Sequence, residues 1–264
     1  MKARRPSSAV IAALLTVGAL AAQSASAQEA SYSLKRVYRQ GEVDRYRTII
    51  HVEQQTAPAG SAPIVLVMTL TTTETTREVK PDGGVVLENR LDSAVVSLNG
   101  KEEPLPGPGQ AVTLTTLDKD GKPVRQETTG QTGIAPLIAM TRPAFLIPRP
   151  LKVGEQLKLR LPEGPETAKT LDVSITLVEL AKKAQELPSD ALRVKSVADG
   201  VLPGAAGAQR LHAEMTSLME PEGARLLRVD GTVTGLVFPQ IGPARMTFRV
   251  VRLPSSAAPP TATH

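Results

Sequence analysis

The sequence has no cysteine and no tryptophan, and its 264 residues include only three tyrosines, three phenylalanines and three histidines. Without cysteine there can be no disulfide staple, thiol chemistry or thiolate metal site, so stability must come from a packed core. So few aromatics leave neither a base-stacking platform nor the two aromatic girdles of a membrane β-barrel. Sugar-binding grooves built on aromatic platforms lose weight for the same reason. After the first 22 residues, no apolar run approaches the roughly 20 residues a transmembrane helix needs.

Motifs that carry chemistry are missing too. The sequence contains no GxSxG, HExxH, HxH, GxGxxG or phosphate loop. His51 and His212 are the only candidate bases within the expected fold, and both fall in expected strands, where a solvated or hydrogen-bonded histidine is ordinary. Asp118-Lys119-Asp120-Gly121 looks like the start of a calcium loop, but its twelfth position is Thr129 where a bidentate glutamate is required, so it is a turn. The expectation is no catalytic residue, no metal and no cofactor.

The first residues look like an export leader. Lys2, Arg4 and Arg5 form a basic start, Ala9 to Ala22 an uncharged apolar stretch, and Ala25-Ser26-Ala27 a small-residue cleavage site. Residues 1–27 are therefore expected to be removed, and no cysteine follows to carry a lipid. Taking these three basic residues from the formal net charge of +5 leaves +2, which gives no reason to invoke nucleic acid. An exported or periplasmic address follows, with no transmembrane segment after cleavage.

What is present is β-pattern. Ile64–Val79 and Val85–Leu98 are rich in Val, Ile and Thr, and Pro81-Asp82-Gly83-Gly84 between them is turn chemistry. This predicts a long hairpin with Val79 opposite Val85, Glu74 opposite Arg90, and the odd positions of the second arm inward. Arms of about 50 Å are long for strands and imply a sheet that curls or is broken by bulges. The Thr69–Thr76 run reads as a solvated strand face, against sharper readings as a binding array or an edge that accepts a partner strand.

Further strands are expected at Tyr32–Tyr38, Val43–Gln54, Ala111–Leu117, Lys122–Thr128, Leu151–Leu161, around Leu171–Leu177, at Ala191–Ala198, Arg210–Glu220, Arg225–Phe238 and Ala244–Leu253. Within the later strands, Leu227, Val229, Val233 and Val237 are expected on one face, and Met246, Phe248 and Val250 inward with Arg245 and Arg249 outward. Residues 101–110 and 200–207 read as connections. Ile134–Thr141 and Glu179–Leu187 read as short helices. The apolar stretch Gly133–Pro148 reads either as a flap over an apolar cavity or as a buried connector that plugs the sheet.

Gly41-Glu42 and Gly154-Glu155 sit in similar words at an offset of 113 and suggest two similar halves. The expectation is a mainly β fold: long antiparallel curved sheets, half-barrel or barrel-like, with one or two short helices. The leader is followed by a first β half at 28–147, a second at 148–253, and a disordered tail at 254–264.

The words YSLKRVYRQGEVDRYR (32–47) and IPRPLKVGEQL (147–157) resemble uncharacterised secreted bacterial β-rich proteins of domain-of-unknown-function type, in which a Gly-acid word opens long strands. Leu157 stands where an aromatic often follows in those proteins. Long curved strands with a short apolar helix are also similar to the half-barrels of periplasmic lipoprotein carriers of the LolA-like fold. This likeness implies architecture and transfers no functional residue.

Three functional readings follow. The first is a non-enzymatic envelope protein that binds an apolar ligand or lipidated partner in its curved sheet. Its wall is expected at Leu66, Val67, Leu87, Leu91, Val95, Ile138, Phe145 and Leu146. The second is a structural or protein-interaction domain with a filled core. The third is an enzyme of unrecognised type.

Overall fold

The computed structural model describes residues 30–57, 60–104, 111–130, 141, 147, 149–163, 169–183, 187, 189–204, 207–238 and 241–254. The expected leader, the expected tail beyond residue 254, and Ile138, Phe145 and Leu146 lie outside the described residues, as does most of the apolar stretch and of the Ile134–Thr141 helix expectation.

The chain is all-β. Its strands are β1 (Ser31–Tyr32), β2 (Val43–Gln54), β3 (Val65–Val79), β4 (Val85–Leu98), β5 (Lys101–Pro104), β6 (Val112–Leu117) and β7 (Pro123–Thr129). They continue with β8 (Leu151–Lys152), β9 (Gln156–Glu163), β10 (Lys169–Ala181), β11 (Ala191–Gly204), β12 (Gly207–Met219), β13 (Leu226–Phe238) and β14 (Gly242–Arg252). Twelve form one antiparallel sheet ordered β7-β6-β4-β3-β2-β14-β13-β12-β11-β10-β9, with β5 beside β4. The sheet curves but does not close into a barrel. β7 and β9 end it, and β1 pairs separately with β8.

The two halves are one sheet because β14 returns to pair with β2 along nine positions, from Ala244↔Gln54 to Arg252↔Tyr46. That pairing aligns the alternations. Tyr46, Ile50 and Val52 fall on the same face as Met246, Phe248 and Val250, and all six are buried in the main core. Arg245 and Arg249 face the other way, as their alternation with apolar neighbours requires.

The long hairpin has the expected ends, with Val79 opposite Val85, but its interior register is corrected by two bulges. Arg77 is an extra residue in β3 and Asp92 an extra residue in β4. The first shifts the ladder, so Glu74 faces Asn89 and Thr73 faces Arg90; the second restores it. Each bulge also reverses which parity points inward. Val85, Leu87 and Leu91 are buried, but beyond Asp92 the inward residue is Ala94, and Val95 is exposed. The period-two rule is obeyed on either side of Asp92 and broken at it.

The Thr run is corrected as well. β3 lies between β2 and β4, so it is not an edge, and Thr72, Thr73 and Thr76 are buried. The Thr73 hydroxyl donates to the Asp92 carboxylate at 2.5 Å, which holds the bulge.

Elsewhere, ladder pairing overrides local propensity. Glu179–Ala181 continue β10 instead of starting a helix. After a bulge at Val178, Glu179 pairs with Arg193 and Leu180 with Leu192, and no helix occurs among the described residues. Gly200–Gly204 and Gly207 extend β11 and β12 rather than forming a loop. Asn99 and Gly100 both take positive φ, 49° and 84°, and so fold Lys101–Pro104 back onto β4 as β5. In β13 a bulge at Leu227 moves this side chain into a separate cluster with Ala191 and Leu218, and a second irregularity turns Leu236 inward in place of Val237.

The expected strand at Tyr32–Tyr38 is only Ser31–Tyr32. The rest is a strap across one end of the sheet. Leu34 is buried in the second-half core with Ile147, Leu151 and Leu177. The Val37 amide donates to the Gly223 carbonyl, and Tyr38 packs on the Val85–Leu87–Leu117 cluster.

The two Gly-Glu words prove equivalent in structure. Gly41 donates to Thr76, whose amide donates back to Glu42; Gly154 donates to Leu177, whose amide donates back to Glu155. Both glycines have φ near 80°, which only glycine adopts without strain. Each turn pins the start of a long strand to the end of its neighbour.

Candidate functional site: an apolar rim opposite a charged floor

The two ends of the half-barrel differ in chemistry. At the strap end, Asp44 begins the inward series of β2 with its side chain only 3% exposed. Arg225, just before β13, grips it with two nitrogens at 2.5 to 3.0 Å and also reaches Glu42 at 3.2 Å. Arg36, from the strap, bonds Glu42 at 2.8 Å and Asp44 at 3.3 Å, with its guanidinium 5.1 Å from the centre of the Tyr38 ring. Beside them Arg252 bonds Glu220 at 2.7 Å. Burial works against the Arg225 charge, but its bond to Asp44 and the fields of Asp44, Glu42 and Glu220 outweigh this and raise its pKa. A buried carboxylate held by two arginines is a charged floor, closed to apolar molecules.

At the other end the inward residues are apolar and half-buried. Leu66 is the second residue of β3, Val96 lies near the end of β4 and Leu211 near the start of β12, Phe238 ends β13, and Ile241 stands in the turn before β14. All five pack against the main core without being enclosed by it. Register sets Leu66 at the edge of the core: it pairs with Val52, which pairs with Met246, which pairs with Val233, and these three are buried. The half-buried residues stand at the same end of their strands: the start of β3 and β12, the end of β4 and β13, and the turn into β14.

The expected wall residues divide accordingly. Leu66 is at the rim and Leu91 is buried beneath it in the main core. Leu87 belongs to the cluster at the strap end. Val67 pairs with His51 on the opposite face from Leu66, and Val95 is turned outward by the Asp92 bulge. Of the rim residues, Val96, Leu211, Phe238 and Ile241 escaped the sequence reading. Val96 was hidden by the parity reversal. Phe238 and Ile241 were hidden because only the β14–β2 pairing brings their strands to the same core as Leu66.

The opposite face holds a groove of about 560 Å³ over β2, β14, β13, β12 and β11. Its walls are mixed: charged Lys195, Glu214, Asp230 and Arg249 stand beside apolar Ile49, Met215 and Phe248. Asp230 accepts from Arg228 and Arg249 at 2.6 Å each. Burial pushes its pKa up, but the two arginine bonds prevail and hold it below the usual value.

His212 is exposed. Its bond to Asp199 at 2.8 Å, with Glu214 at 3.6 Å, raises its pKa. Asp118 accepts from the amides of Asp120 and Lys122, so the calcium-like string is a self-capped turn. Among the described residues no group of three or more His, Asp or Glu is placed to hold a metal ion, and no helix is long and apolar enough to cross a membrane.

No protein-family model and no curated protein matches the sequence. Among solved structures, DynF from the dynemicin biosynthesis pathway of Micromonospora chersina is similar at 10% identity, over 86% of this chain and 85% of that chain, with a TM-score of 0.21. A likeness that low carries no argument about fold or function.

Proposed function

We propose that the chain is an exported, non-enzymatic envelope protein that takes an apolar chain, from a lipid or a lipidated partner, at the rim of its half-barrel. The observation that carries this reading is the asymmetry of the inner face. Half-buried Leu66, Val96, Leu211, Phe238 and Ile241 gather at one end, and the buried Asp44 network closes the other. An apolar chain can enter only where no charge must be desolvated. Each methylene buried there stabilises the complex by about 0.8 kcal/mol. The leader of residues 1–27 supports the address.

Native mass spectrometry of protein purified from its own envelope tests the proposal. The expected result is a second mass series carrying a lipid-sized adduct. A single series at the mass of the bare chain contradicts it. That outcome favours the second reading, a filled-core interaction domain. The tight interior supports this alternative: Ile50, Val52, Leu70, Val229 and Met246 are at or near zero exposure.

A further inference from the structure

The two ends of the sheet are guarded differently. β9 presents Lys158 and Arg160 as exposed residues either side of Leu159. A second copy pairing antiparallel about Leu159 would set Lys158 against Arg160, so like charges protect this edge. β7 is exposed along all seven residues, Pro123-Val124-Arg125-Gln126-Glu127-Thr128-Thr129. Here the charges flanking the middle residue are of opposite sign. Within one strand Arg125 and Glu127 pair with each other, both of them largely in solvent.

We propose that β7 is a self-association edge, pairing antiparallel with β7 of a second copy about a two-fold axis at Gln126. That register sets Arg125 against the Glu127 of the other copy, twice; Val124, the extra residue of a bulge against β6, lies outside the regular pairing. The symmetry is the self-complementary kind a two-fold dimer requires. The ladder gains the hydrogen bonds that an edge otherwise makes to water. Val124, 61% exposed, is the large apolar side chain on this edge. The result is a continuous sheet through two copies, with both apolar rims left open. This inference does not depend on the ligand reading, because β7 contributes nothing to the rim.

Sedimentation equilibrium of the purified protein tests it. Wild type is expected at twice the monomer mass. R125E and E127R each place like charges opposite one another and should raise the dimer dissociation constant about tenfold. The swap R125E/E127R restores opposite-sign pairs and should restore the dimer. Far-UV circular dichroism, expected unchanged in all three, separates dissociation from unfolding. A monomeric wild type overturns the proposal. So do a dimer indifferent to the single changes and a folded double variant that stays monomeric.

Discussion

At the residue scale the tightest constraint lies in the main core, where Gly231 faces Phe248 across the β13–β14 ladder. A β-carbon on Gly231 would stand 2.3 Å from the Phe248 ring, so the ring occupies the space a side chain would fill. Gly231→Ala should therefore cost about 1–3 kcal/mol through overpacking, read from the urea midpoint. Adding Phe248→Leu should return part of that loss. A wild-type midpoint for Gly231→Ala would contradict this account of the packing. Alternation in the sequence is enough to turn Phe248 inward. It says nothing of Gly231, because the need for glycine comes from Phe248 across the ladder, only after the strands are in register.

At the element scale the fold is held by devices that interrupt regular strands. Arg77 and Asp92 are single-residue bulges on opposite arms of one hairpin, and their effects on register cancel. The hairpin ends were legible, since Pro81-Asp82-Gly83-Gly84 fixes the turn and turn geometry fixes Val79 against Val85. The middle was not, because a bulge leaves no mark in composition, and Val95 was misplaced for that reason. Glu179–Ala181 went the same way. Their helix propensity is a few tenths of a kcal/mol per residue and yields to ladder bonds and the burial of Leu180.

The strap, β2 and the turn before β13 are joined by the Asp44 network rather than by a ladder. Asp44→Ala would remove the more buried of the two carboxylates, Asp44 and Glu42, that Arg225 and Arg36 share. Breaking a buried pair in this way should lower stability by about 3 kcal/mol in urea unfolding. A loss below about 0.5 kcal/mol, the range of ordinary surface changes, would mean that the floor is not a structural joint.

At the scale of the whole molecule, the all-β class and the antiparallel curved sheet follow from what the sequence repeats: β-branched residues, period-two patterning and Gly-centred turns. Two features do not follow. One is the closure of the two halves into a single sheet through β14 and β2, which joins positions about two hundred residues apart. The other is the difference between the ends. Leu66 was within reach of the sequence because it opens a strongly apolar strand. Its neighbours at the rim come from strands that only the topology brings together.

On the proposed function, apolar chains are taken at this rim and not elsewhere on the sheet. Titration of the protein with a fluorescent long-chain acyl probe, comparing wild type with Ile241→Asp and Val95→Asp, tests it most directly. Saturable binding to wild type is expected, with a loss of about tenfold or more for a carboxylate at position 241 and no change for one at position 95. Absence of saturable binding to wild type, or equal binding by all three proteins, would contradict it.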